Sequence, residues 1–312
     1  MPVVYGCRWI WYQENQTEQK KEEYVMKMRK ALAAVCAMAL MTTGIAGFGV
    51  TSAYADDSAS TESSTETEAA GTLMSSIKAA GKLVVGTASG YPPYEFIDTS
   101  SSDNKIVGID MELAQCIADE LGVRLEIQDM DFSGLLASIP AGKIDLAIAG
   151  ISPTDERKET MDFSENYLEA DQKMLILKDN ADKYKTIDDF KGQPLAVEKS
   201  TTQEALLQKL FPDNQIVSLE KVPDCIMELK QGNVAGVCVE GIVGEQYLLA
   251  DSALAFSDAD TGAQKQSAVV LAKGNEDLIK VIDKVIDEHK KNGDFDKWVE
   301  EYSKLASDNA AS

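Results

Sequence analysis

A single histidine, His289, serves all 312 residues, and that scarcity argues against most His-dependent hydrolysis. The chain has no G-x-S-x-G nucleophile elbow, no H-E-x-x-H zinc helix and no P-loop. His289 falls in a Lys-rich amphipathic stretch, where a surface or core-edge side chain is the plain reading. Cysteine is scarce as well, with five residues, of which Cys116, Cys225 and Cys238 lie beyond residue 55. One His and scattered Cys make a transition-metal site improbable, and no cofactor is implied. A Cys225–Cys238 disulfide is open in an oxidising compartment, but each cysteine lies in an apolar run, which favours buried thiols. Basic residues are the minority: 30 Lys and Arg stand against 52 Asp and Glu, a net charge of −22. An acidic surface repels nucleic acid and anionic lipid headgroups, so neither is an expected partner. A carboxylate-only enzyme survives all of these exclusions.

The N-terminus departs from the rest. Lys27, Arg29 and Lys30 form a basic cluster, Ala31 to Val50 carry no charge, and Ala53 and Ala55 are the small residues of an A-x-A-like cleavage site before Asp56. That is the anatomy of a secretory signal peptide over 26–55. An uncleaved membrane anchor is the alternative, since the uncharged run approaches the roughly 20 residues a bilayer requires. Ala33 and Val35 beside Cys36 do not fit a lipoprotein signal. Residues 1–25 read as a mis-called N-terminal extension, with the start expected at Met26 or Met28. Residues 1–55 carry a net +2, so the remaining 257 residues of the 312 carry −24. Residues 56–72 hold five acids and eight Ser/Thr with no apolar side chain larger than Ala. Such a segment cannot bury enough surface to offset its ordering entropy and is expected to be a disordered spacer.

Beyond Leu73, strand and helix signals alternate. Leu83–Thr87 reads as a buried strand. Asp110 is a candidate N-cap for a helix with Leu113, Ala114, Ile117, Ala118 and Leu121 on one face, closed by Gly122. Val123, Leu125 and Ile127 alternate as a strand, Phe132 to Ile139 suits a short helix, and Asp145–Ala149 reads as another buried strand. After an extended segment at Lys173–Leu177 the rhythm restarts. Strands are expected at Leu195–Val197 and Val234–Val239, with helices at Gln203–Leu210 and Cys225–Gln231. A further extended segment, Ser267–Leu271, leads into a helix from Glu276. Repeated βαβ units predict mostly parallel sheets covered by helices. Two such units suggest an α/β chain of two lobes around a cleft, where small ligands bind.

Several segments in order resemble the polar amino acid-binding proteins of ABC importers, the bacterial extracellular solute-binding proteins of family 3. They are Leu83–Thr87 followed by Tyr91-Pro92-Pro93-Tyr94-Glu95-Phe96; Val107–Asp110; Met130–Leu136; the run DLAIAGISPTDERK from Asp145 to Lys158; Met161–Ser164; Thr201–Glu204; and Trp298. The resemblance spans about Leu73 to Leu305. It implies a two-lobed periplasmic-binding-protein-like fold with two crossover hinge strands. Lobe one would comprise 73–171 and 267–305, lobe two 172–266, and 306–312 would be a tail. It also implies a monomer outside the cytoplasm that captures a free amino acid, polar or basic, and delivers it to the membrane permease subunits of an ABC importer.

The DLAIAGISPTDERK run has its own logic as a carboxylate site. A strand ends at Ala149-Gly150, the glycine permits close approach, Ser152 offers a hydroxyl, and Thr154 caps a helix start that favours an anion. Arg157 on the first turn can grip a carboxylate with two parallel bonds, or merely pair with Glu156 or Glu159. From the resemblance, Glu240 would hold the ligand's ammonium, where relatives carry Asp. Tyr91 and Phe132 would enclose the side chain, and Glu198, Ser200, Thr201 and Thr202 would form the facing loop. An acid at Glu198 would favour a cationic side chain. Rival expectations are a cleft enzyme such as a prephenate-type dehydratase and a ligand-sensing ectodomain that works through a separate partner.

Overall fold

The computed structural model describes residues 72–100 and 102–310. The expected extension, signal peptide and nearly all of the spacer lie outside the described residues. Thr72 is described, and its hydroxyl accepts the Ser75 amide at 3.3 Å to cap the first helix, α1 (Leu73–Ala80). Gly81 at φ 64 ends that helix in the left-handed conformation, which glycine adopts without steric cost.

The chain is a mixed α/β protein. Strand β1 (Lys82–Thr87) leads through the short pair β2 (Phe96–Ile97) and β3 (Ile106–Val107) to α2 (Ile109–Leu121). Then come β4 (Arg124–Asp129), α3 (Phe132–Ser138), β5 (Leu146–Ala147) and α4 (Asp155–Lys158). Strand β1 pairs in parallel with both β4 and β5, so Val85 faces Ile127 on one side and Leu146 on the other. That is the open parallel sheet expected of βαβ units.

A second unit repeats the pattern with β7 (Leu195–Glu198), α5 (Thr202–Leu210), β8 (Ile216–Leu219), α6 (Val222–Lys230), β9 (Gly236–Glu240) and α7 (Gly241–Ala250). Here β7 pairs in parallel with β8 and β9. The two units are joined by β6 (Met161–Leu177) and β11 (Gln264–Ala272), antiparallel to each other. β6 also pairs antiparallel with β9 through Gln172–Leu175, and β10 (Leu254–Phe256) lies on its far end. β6 is much longer than the expected Lys173–Leu177 segment, because its polar first part is held by the ladder with β11 rather than by an apolar face.

Two terminal helices complete the first unit, α8 (Glu276–Asn292) and α9 (Asp294–Ala310). On α8, Leu278, Ile282, Val285 and Ile286 are buried at helical spacing. Each such side chain removed from water contributes about 1.5–3 kcal/mol. His289 Nδ1 lies 2.8 Å from Asp294 Oδ2 with its ring 5.1 Å from that of Trp298, a packing residue. Cys225 and Cys238 are buried free thiols, not bonded to each other, and burial pushes both up to about 12.

Asp110 is a correction. It does not cap α2: Gly108 at φ 137 holds that position, and Asp110 is wholly buried inside the first turn. Its carboxylate instead accepts the Gly150 amide at 2.8 Å and the Tyr167 hydroxyl at 2.8 Å. Burial pushes this acid up to about 7.

Candidate ligand-binding site

The ends of β1, β5 and β7 and the start of α5 converge on one cavity. Its walls include Ala88, Tyr91, Phe132, Ala149, Ser152, Arg157, Glu198, Thr201 and Thr202, with Glu95, Gln203 and Lys265. Eight residues expected at the site, Tyr91, Phe132, Ala149, Ser152, Arg157, Glu198, Thr201 and Thr202, therefore meet in one place.

Arg157 is placed by a short local device. Thr154 accepts the Arg157 amide at 3.3 Å and starts α4, which turns the side chain back over the strand end. The guanidinium donates to the Ser152 carbonyl at 2.9 Å and to the Ser200 carbonyl at 2.9 Å. It lies 5.6 Å from the centre of the Phe132 ring, a cation–π distance. The open alternative for Arg157 was an ion pair with a neighbouring acid, and none is formed among the described residues. Of its five N–H donors, those not directed at the two carbonyls have no protein partner among the described residues. Burial pushes its guanidinium down to about 10. The hydroxyl of Ser152 beside it is buried and unpartnered among the described residues.

Opposite stands the loop after β7. Thr201 caps α5 by accepting the Glu204 amide at 3.2 Å and donates to the Glu198 carbonyl at 2.6 Å, which fixes the loop. Ser200 takes φ 65, the left-handed region that favours glycine. Thr202 donates to Gln203 at 3.2 Å, and Gln203 in turn donates to the Tyr91 hydroxyl at 3.2 Å. The Glu198 carboxyl has no hydrogen-bond partner among the described residues, and burial pushes it up to about 8. Glu95 is likewise buried with Oε2 unpartnered among the described residues. Burial, and then the neighbouring Asp110, drives it well above the usual carboxylate range.

Two expected residues are placed differently. Gly150 does not leave open space for a ligand: a Cβ there would meet Lys265 Nζ at 3.0 Å and the Tyr91 ring at 3.6 Å. Its amide is spent on Asp110. Glu240 lies behind the cavity wall, wholly buried. Its carboxylate accepts from the Tyr91 hydroxyl at 2.8 Å, the Tyr94 hydroxyl at 3.0 Å and Lys265 Nζ at 2.7 Å. The carboxylate expected to face a ligand ammonium is thus already paired with Lys265.

Sequence reasoning missed Ala88, Glu95, Gln203 and Lys265. Only the two-residue period of β11, which places Lys265 on the face of buried Ser267 and Val269, could have singled out the lysine.

The model of the bacterial extracellular solute-binding proteins, family 3, matches residues 83–304. The chain belongs to this family. It is 30% identical over 219 residues to the arginine-binding extracellular protein ArtP of Bacillus subtilis, covering 69% of this chain and 84% of that protein. It is 30% identical over 274 residues to the L-cystine-binding protein TcyJ of Escherichia coli, covering 86% and 95%. Among solved structures it resembles the amino acid ABC transporter substrate-binding protein AbpA of Streptococcus pneumoniae bound to L-arginine, with a TM-score of 0.73 and 36% identity. That match covers 74% of this chain and 98% of the other. The two-lobed α/β fold and the role of amino acid-binding protein in ABC transport follow for the family.

Proposed function

We propose that this chain captures a basic amino acid, L-arginine foremost, in the cavity around Arg157 and passes it to the permease subunits of an ABC importer. One observation carries the reading: the partnerless Glu198 carboxyl shares its cavity with Arg157, whose donors are only partly spent. A buried carboxyl without a partner is costly to ionise. A ligand with a carboxylate at one end and a cation at the other satisfies both groups at once, while Tyr91 and Phe132 cover its aliphatic stem. The arginine named for two of the relatives supports the choice of side chain.

The protein acts as a monomer outside the cytoplasm, exported by the signal at 26–55. Residues 73–171 with 267–305 form one lobe and 172–266 the other, hinged on β6 and β11, so that contacts from both favour closure. It binds its ligand without turning it over.

A thermal-shift screen of the purified protein against the twenty amino acids, ornithine and citrulline tests the proposal. Ligand at a hundred times its dissociation constant adds about 2.7 kcal/mol of stability. Arginine, lysine or ornithine should stand out. A shift confined to acidic or neutral amino acids would overturn the basic specificity, and no shift with any of them would overturn amino acid binding.

A further inference from the structure

Lys265 has an ammonium that the proposed function does not use. It is 7% exposed, it belongs to the cavity wall, and its single hydrogen bond among the described residues goes to Glu240 at 2.7 Å. An ammonium has three donors, so two remain. The Tyr91 and Tyr94 rings flank it at 5.1 and 5.5 Å from their centres, and the strand end at Gly150 lies against it. Two tyrosine hydroxyls and the lysine take three of the roughly four acceptor positions of Glu240.

Resting on the reading of a bound amino acid, we infer that Lys265 is a second carboxylate-binding residue beside Arg157, and that Glu240 positions Lys265 rather than holding the ligand's ammonium. For a ligand ammonium to reach Glu240, the buried pair would have to break. Breaking such a pair leaves an uncompensated buried charge, which is strongly destabilising. Leaving the pair intact costs nothing, and the free donors of Lys265 then meet an acceptor brought by the ligand. The Ser152 hydroxyl, buried and unpartnered among the described residues, lines the same cavity. An anion in the cavity thus finds a guanidinium, an ammonium and a hydroxyl. The wall carboxyl left without a partner for the ligand's cationic side chain is Glu198.

The test compares L-arginine with agmatine, which keeps the amine and the guanidinium but lacks the carboxylate, by calorimetry on wild type, Lys265→Gln and Glu240→Gln. The inference expects Lys265→Gln to weaken arginine by about tenfold or more, as for truncation of one partner of a desolvated charged contact, and agmatine by less than about threefold. Glu240→Gln should show the same selective loss, because it frees the lysine without touching the ligand. If Glu240 instead held the ammonium, both ligands would weaken alike in Glu240→Gln, and the inference would be overturned. Arginine binding to Lys265→Gln as tightly as to wild type overturns it too. Should Lys265→Gln not fold, the double variant Lys265→Met/Glu240→Gln removes both charges together and carries the same expectation. Wild type that binds no arginine overturns the functional proposal itself, which sets that failure apart.

Discussion

Arg157 Nη2 donates to the carbonyl of Ser200 at 2.9 Å, a bond between residues 43 apart in sequence that joins the end of the first α/β unit to the loop after β7. The same guanidinium holds the Ser152 carbonyl on its own side. Arg157 is therefore both a clasp between the two walls of the cavity and the source of unspent donors within it. A planar fork can serve two carbonyls and a carboxylate together, whereas a point charge on a flexible stem cannot.

Arg157→Ala should lose the ligand's carboxylate partner and leave two carbonyls without their donor. Loss of one member of a desolvated charged contact costs about 2–5 kcal/mol, roughly 30- to several-thousand-fold in affinity. Arg157→Lys should bind poorly as well. Calorimetry with circular dichroism as the fold control measures this. Two folded variants that bind within threefold of wild type would remove Arg157 from the site.

Glu198 ties binding to pH. Its folded-state value is raised to about 8, and Asp110 to about 7, both by burial, against ordinary carboxylate values of about 4. Acids raised in this way bind more protons folded than unfolded. Their contribution to the stability of the ligand-free protein is full below about pH 4 and is lost as pH rises through about 7 to 8. A ligand cation favours ionised Glu198, so arginine should release a proton on binding below about pH 8, and affinity should climb with pH toward that value. Titrations near neutrality in buffers of different ionisation enthalpy read the released proton directly. Glu198→Gln should abolish it and weaken arginine by about 1.5–3 kcal/mol. Unchanged proton release in that variant would show that another group titrates.

Gly108 holds φ 137, and a Cβ there would lie 2.0 Å from the Tyr94 carbonyl oxygen. Because that oxygen also accepts the Asp110 amide at 3.0 Å, neither side can give way. Gly108→Ala should destabilise the fold by more than about 2 kcal/mol, combining backbone strain with a clash. Urea unfolding measures the loss, and a midpoint within error of wild type would mean that the turn relaxes freely.

The strands and helices were legible in the sequence because their signals are local, while Tyr91, Phe132 and the loop from Glu198 to Thr202 came from the family resemblance. The apolar run at Leu83–Thr87, the stripe from Leu278 to Val285 and the Thr154 cap that aims Arg157 each declare themselves within a few residues. Asp110 misled because an acid ahead of an apolar run has the pattern of a cap, while its real partners, Gly150 and Tyr167, are brought to it only by folding. The first part of β6 is polar and has no period of its own; β11 imposes its extension from about a hundred residues away. Lys265 and Glu240 were opaque for the same reason. Nothing local marks a lysine between two glutamines, and only the resemblance singled out Glu240; pairing of distant strands with β6 brings the two together.

The central claim is that one cavity holds a basic amino acid by its two oppositely charged ends. Calorimetric titration of the purified protein with L-arginine at neutral pH tests it most directly. The account predicts one arginine per chain with a dissociation constant of about 10 μM or tighter, about −7 kcal/mol or more favourable, and binding weakened by about tenfold or more in both Arg157→Ala and Glu198→Gln. No binding of arginine at about 1 mM, or binding within threefold of wild type in both variants, would contradict it.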